Sequence, residues 1–386
     1  MTDLALVVNG RRYGGWKSVR VTRSIESLAG SFALDVSDRW AEMDEPWAII
    51  EEDPCRVEID GQVVIDGYID KRSISASAAS RTLSYSGRDR AAALVDCSAI
   101  LDQWTFRDVV VSEFVAKVAA PFGVRVSVQP GLVLPKVSKI VLTPGDSAFE
   151  AIKRAVGEQG VLFVSDGAGG ILITRAGTDR AQSLVEGVNI LSASVEYDGA
   201  DRFHHYIVST QAPGTDEASG DATRVGDGGI DEGVRRTNRA LVIRPDKGCS
   251  VADARKRADW EARIRAARAE KVSVTVLGWK QSGGPLWPLN TLTRVKAPQL
   301  IGVDGDMRIS QIEHSISESG QVTQLSLVRP DAFTPEPKAA VKSTSSGGGA
   351  WKELRKGASS DPALATAGAI AATASLNASI QKLKGG

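Results

Sequence analysis

The residues of this chain whose chemistry could reach beyond structure are three histidines, three cysteines, an acidic triplet and two glycine-rich stretches. His204 and His205 are adjacent, and on a strand neighbouring side chains point to opposite faces, so the pair is not expected to share one ion. His314 has no HxH or HxxxH companion. Glu51-Glu52-Asp53 supplies carboxylates, but glycoside cleavage needs two of them facing each other at about 5–10 Å across a cleft. Three in a row before Pro54 read as a solvated loop. DGAGG (166–170) and GDGGIDEG (226–233) lack the GK[ST] ending of a phosphate loop and the strand–GxGxxG–helix context. They read as a hairpin turn and as part of a long polar loop, 212–233. Cys55, Cys97 and Cys249 are odd in number and widely spaced, which fits reduced, buried thiols rather than a disulfide framework or a metal knuckle. There is no GxSxG or HExxH. The chain reads as a non-enzyme, with no catalytic, cofactor-binding or metal-ligating residues.

Those residues must be held by elements, and the first hundred positions read as β. Asn9-Gly10, Asp60-Gly61 and Asp66-Gly67 each sit between apolar runs, the pattern of a type I′ hairpin turn that needs φ > 0 at both central residues. Character then changes. Residues 107–120 and 146–159 read as amphipathic helices, the second capped by Asp146, and 161–177 reads as a hairpin. Strands resume at 192–197, 204–211 and 239–245, followed by a helix over 250–270. That helix shows a Ser250/Asp253 capping box, an apolar stripe of Trp260, Ile264 and Ala267, and Asp259–Arg263 and Glu261–Arg265 pairs. The seven basic residues over 250–271 face four acidic ones with Trp260 as the sole aromatic, which suits a solvated or interface-facing side better than a nucleic-acid reader. Across all 386 residues Lys+Arg and Asp+Glu both number 47, so no global charge draws nucleic acid or membrane. The five-residue apolar run after Asp3 is too short for a signal peptide, and no window has the length of a membrane span.

One phrase occurs twice. SISASAASRTLSYSGRD begins at Ser73 and SISESGQVTQLSLVRPD at Ser315; aligned without a gap they share seven of 17 positions. Upstream, both run from an Arg-Val strand through an Asp-Gly pair expected to be a turn. The order of signals predicts a duplicated small β-barrel, and Ser73–Asp89 and Ser315–Asp331 as equivalent strands. After Thr334 the composition becomes that of a linker, and beyond Asp361-Pro362 an Ala-rich helix is expected with Leu376, Ile380 and Leu383 on one face. A weakly apolar helix on a tether seldom folds alone, so those three residues form a candidate partner-docking face.

SYSGRDRAAALVDCS, the block SVADARKRADWEARIRAARAEKVSVTVLGW, the hairpin VLFVSDGAGGILITRAG and the ending LSLVRPDAF together resemble the tail baseplate hub proteins of Mu-like phages, relatives of late control protein D, the T-even hub and the type VI spike hub module. The resemblance covers residues 1 to about 334 and carries no catalytic residues. It implies an α+β, mainly β fold: a first β-barrel domain (1–98), an α+β insertion (99–182) and a second β-barrel domain (183–333) that includes helix 250–270; the linker (334–360) and C-terminal helix (361–386) read from composition follow it. The implied role is a structural hub of a contractile tail, a homotrimer of pseudo-sixfold symmetry joining a hexameric tail tube to a trimeric central spike. The tape-measure protein and baseplate wedge proteins are further partners on this reading, DNA passes the channel without sequence-specific binding, and no cofactor is implied. The place of action is the virion tail baseplate, assembled in the host cytoplasm. Two other readings stay open at this point, a baseplate-associated cell-wall hydrolase and a glycan-binding tail adhesin.

Overall fold

The computed structural model describes residues 3–37, 48–77, 81–134, 136–156, 160–211, 224–244, 251–317 and 320–337. The candidate docking residues Leu376, Ile380 and Leu383 lie outside them, as do Ser250 and Cys249. The chain divides into two compact units, Met1–Tyr197 with Glu270–Pro335, and Asp198–Ala269 with the chain from Glu336.

The first unit begins with β1 (Leu4–Val8), β2 (Arg11–Tyr13), β3 (Ser18–Ser24), β4 (Ser31–Ser37), β5 (Pro54–Ile59), β6 (Gln62–Ala76) and β7 (Arg81–Asp89). The Asn9-Gly10 and Asp60-Gly61 turns form as expected, all four residues having positive φ. Asp66-Gly67 does not turn: it lies inside the 15-residue strand β6. The glycine is needed there because a Cβ at Gly67 would strike the Arg88 carbonyl oxygen, and one at Gly87 would strike that of Tyr68.

An α+β body follows: α1 (Ala92–Asp96), β8 (Thr105–Val110), α2 (Val111–Ala119), β9 (Arg125–Val128), β10 (Lys136–Val141), α3 (Ala148–Val156), β11 (Leu162–Ser165) and β12 (Gly170–Thr174). Its core is Phe114, Val115 and Val118 of α2 against Ala151, Ile152 and Ala155 of α3. The helix expected over 107–120 starts four residues late, because its β-branched beginning pairs as β8 with β10. The cap of α3 is Ser147 rather than Asp146. Ser147 Oγ accepts from Glu150 N–H at 3.2 Å and Glu150 Oε2 accepts from Ser147 N–H at 2.9 Å, a capping box.

The unit closes with β13 (Leu184–Val185) and β14 (Ser192–Tyr197), and, after the second unit, β18 (Glu270–Leu277), β19 (Leu292–Ala297), β20 (Val303–Ser317) and β21 (Gly320–Val328). Asp304-Gly305, expected as a turn, begins β20. All the strands of this unit outside the α+β body belong to one 13-stranded sheet of order β14-β18-β21-β20-β3-β4-β7-β6-β5-β1-β2, with β19 on β20 and β13 on β19. The mainly β fold with its α+β insertion is present. Its two β regions do not close as separate barrels among the described residues; they continue one another through the β20–β3 pairing.

The second unit contains β15 (His205–Gln211), β16 (Arg224–Ile230), β17 (Ala240–Ile243) and α4 (Val251–Arg268). α4 packs through Ala254, Ala258 and Ala262 on Tyr206 and Val208. Seven residues of the expected polar loop, Arg224–Ile230, form strand β16. Its glycine is a packing residue, since a Cβ at Gly229 would lie 3.0 Å from backbone atoms of Ala258 and Asp259 in α4.

Candidate assembly interface

The repeated phrase resolves into repeated geometry. β5, β6 and β7 are 6, 15 and 9 residues long, and so are β19, β20 and β21. Each long strand carries one bulge against its partner, between Ile69 and Lys71 in β6 and between Ile309 and Gln311 in β20. With the bulges matched, Ile69↔Gly87 corresponds to Ile309↔Leu327 and Arg72↔Tyr85 to Ile312↔Leu325. The true correspondence is therefore Ser73 with Glu313, not with Ser315. The gapless alignment of the two phrases is two residues out, a slip that leaves every side chain on its own face.

The correspondence extends sideways. Phe32 of β4 pairs with Gly87 and Val21, while Val272 of β18 pairs with Leu327 and Val195. The sheet thus contains the unit β3-β4-β7-β6 and, in the same order, β14-β18-β21-β20.

The two units meet where β20 pairs with β3, in register from Gln311↔Ser24 to Ile316↔Val19. The inner face of this joint is buried: His314 is 5% exposed, Val21 0% and Ile312 3%. On the outer face Glu313 accepts from Thr22 Oγ1 at 3.4 Å and pairs with Arg20 at 3.2 Å. Thr323 Oγ1 donates to the Gly278 carbonyl at 2.7 Å, which leaves it to accept from His314 Nδ1 at 3.1 Å. His314 is therefore the neutral Nδ1–H tautomer. Burial, reinforced by the Arg23 charge, holds its pKa down at about 4. Trp279, fully buried, donates from Nε1 to the Ser315 carbonyl at 3.1 Å and packs into the core of the first β region, so β20 is gripped from both halves.

The same two units end in open edges. β5 and Glu52–Asp53 cover β6 only as far as Ile69; among the described residues no strand pairs with 71–76 on the side away from β7. β14, at the other end of the sheet, has β18 on one side and no described strand on the other. Ile74 is 52% exposed and Tyr197 67%.

The residues that suggested chemistry are used structurally. Glu51 pairs with Arg72 at 3.3 Å, and Asp53 accepts from Ile50 N–H at 2.9 Å inside an exposed turn. His204 and His205 do not diverge as expected: His204 precedes β15, strand alternation does not reach it, and the rings pack edge to face at 4.7 Å. Among the described residues no group of three or more His, Cys, Asp or Glu is placed to hold a metal. Asp166 Oδ1 closes the DGAGG turn by accepting from Ala168 and Gly170 N–H at 2.7 and 2.8 Å. On α4, Glu261 takes both Arg257 and Arg265, at 2.9 and 3.0 Å, and Arg257 stacks on Trp260. Cys55 is buried, and burial pushes its thiol up to about 12, but Cys97 is exposed, against expectation. Sequence reading missed Asp89, 2% exposed, which accepts from Gly30 and Ala91 N–H at 2.8 and 3.0 Å. Burial raises its pKa, partly offset by Ser165, whose carbonyl in turn takes Arg23 at 3.1 Å. This cluster ties the first β region to the β11–β12 hairpin.

A continuous sheet built from one strand unit used twice, with exposed edges and its polar residues spent on packing, defines a structural assembly protein. Comparison with known proteins gives the family. Residues 3–89 match the model of the N-terminal domain of Mu phage baseplate assembly protein GpP-like, 91–175 that of the second domain of baseplate hub protein gp44-like, and 250–336 that of the fourth domain of Mu phage baseplate assembly protein GpP. Baseplate hub protein gp44 of Escherichia phage Mu is 31% identical over 343 residues, 86% of this chain and 88% of that one. The crystal structure of the 43 kDa tail protein of prophage MuSo2 from Shewanella oneidensis matches with a TM-score of 0.76 at 30% identity, covering 86% of this chain and 99% of that one. An E. coli type VI secretion component, described as similar to T4 tail proteins gp27 and gp5, matches with a TM-score of 0.51 at 9% identity over 86% of this chain and 79% of that one. At that identity the likeness is one of fold. The chain belongs to the baseplate hub protein family of Mu-like phage tails. Its role is structural, not enzymatic.

Proposed function

We propose that three copies of this chain form the hub ring of a contractile tail baseplate, assembled in the host cytoplasm, that joins a hexameric tail tube to a trimeric central spike during host entry. The observation that carries this reading is the strand unit used twice in one sheet, β3-β4-β7-β6 and β14-β18-β21-β20. Three chains carry six such units, so one face of the ring repeats six times while the inserted bodies repeat three times. A heterologous interface of this kind closes into a ring when its rotation closes. The five-part division of the chain belongs to this reading, with the residues after Thr334, including Leu376, Ile380 and Leu383, docking on the spike, the tape-measure protein or a neighbouring hub subunit. Wedge proteins would meet the outside of the ring, and DNA would pass through its centre. Native mass measurement of the full chain tests the proposal. Three copies of the 40.9 kDa chain are expected, and a stable monomer at assembly concentrations overturns it.

A further inference from the structure

Resting on that trimer reading, we infer that copies join by strand pairing between residues 71–76 of β6 in one copy and β14 of the next, in the antiparallel register of the β20–β3 joint. The register follows from the bulge-matched correspondence. In the joint within the chain Glu313 faces Thr22, His314 faces Val21 and Ile316 faces Val19. Carried over to the open edges, Ser73 faces Glu196, Ile74 faces Val195 and Ala76 faces Ala193. Three observations favour this occupant over any other strand.

The first is exposure. Ile74 stands where His314 stands in the closed joint, yet Ile74 is 52% exposed and His314 5%. Val195 is half-buried where Val21 is fully buried. An apolar residue on the core face of an uncovered edge is a site for strand addition.

The second is polar chemistry. Thr22 and Glu313 form a hydroxyl–carboxylate contact across the existing joint. Ser73 and Glu196 rebuild it with the two partners exchanged, the hydroxyl now on the long strand. Glu196 is also diagonal to Lys71, as Glu313 lies beside Arg20.

The third is supply. Both edges belong to one chain and lie at opposite ends of the repeated order. Each copy therefore offers one edge of each kind, and the contact propagates from copy to copy until the ring closes.

The test is disulfide trapping in the full-length chain with Cys97→Ser and Cys249→Ser, Cys55 being buried. Antiparallel neighbours have Cα atoms about 4.5–5.5 Å apart, within disulfide reach. Ile74→Cys combined with Val195→Cys should give covalent trimers under mild oxidation, and Ile74→Cys combined with Ser194→Cys, one residue out and on the opposite face, should not. A trimeric mass without the Ile74–Val195 link, or with linking favoured at Ser194, overturns this joint and leaves the trimer standing. A monomeric mass for the unsubstituted chain overturns both. Should the cysteine variants fail to fold, Glu196→Lys reads the same contact: it should raise the concentration at which trimers dissociate severalfold, and adding Lys71→Glu should restore it. No rescue in a folded double variant also overturns the joint.

Discussion

His314 is buried inside the joint between the two strand units, with Arg23 on the same face and Glu313 and Arg20 on the other, and its environment makes a measurable demand on pH. Its pKa is held at about 4 against 6.5 in the unfolded chain. Above 6.5 both states are neutral and the residue adds no pH dependence. Below 6.5 the unfolded chain takes up a proton that the folded one refuses, so stability falls with pH until the folded state also protonates, near 4. At about 1.4 kcal/mol per pKa unit, the full loss is about 3 kcal/mol, of which about 2.5 is reached by roughly pH 4.5. His314→Asn keeps a donor for Thr323 and removes the titration. Its unfolding free energy, measured in urea at fixed subunit concentration at about pH 7 and about pH 4.5, should fall by about 2.5 kcal/mol less than that of the unsubstituted chain. The variant should also lose about 1 kcal/mol at the higher pH through its smaller side chain. Parallel pH profiles for the two proteins would refute the lowered pKa of His314 and the burial that causes it.

Two other outcomes are expected. Gly87→Ala would place a methyl group against the Tyr68 carbonyl and 2.7 Å from the Phe32 ring, so it should destabilise the β6–β7 crossing by about 3 kcal/mol, read from thermal unfolding; a loss below about 1 kcal/mol would show that the strands can part. A chain ending at Pro335 should form the same oligomer but fail to complete infectious tails, and full infectivity would remove the docking role assigned to Leu376, Ile380 and Leu383.

What the sequence shows plainly is what local chemistry decides. The Asn9-Gly10 and Asp60-Gly61 turns are legible because left-handed φ at both positions is a property of the dipeptide. The capping box at Ser147 is legible in principle, since Glu150 follows three residues later. Asp66-Gly67 and Asp304-Gly305 mislead because they look like the same turn, although the first glycine answers to the close passage of Arg88 from a distant strand. The repeat is legible as a repeat, but its register is not. A serine-rich alternating strand looks alike at every even offset, and only the bulges opposite Ile69 and Ile309 fix the alignment. The joint itself is invisible in sequence, because Val21 and His314 are brought together across nearly the whole chain.

The place where the second unit enters the sheet has a further consequence. β3 and β4 are joined by only the residues 25–30, whereas their counterparts β14 and β18 are separated by Asp198–Ala269. The chain leaves at Tyr197 and returns at Glu270, directly opposite it in the ladder, and Asp198 N–H already bonds the Ala269 carbonyl at 2.8 Å. Topologically the whole intervening body hangs from a hairpin. It can be exchanged, enlarged or reduced to a short turn while the flanking strands keep their pairing, because insertions between closely spaced chain ends spare the host fold. The long hairpin is thus a grafting point at which foreign cargo could be carried, one copy for each chain.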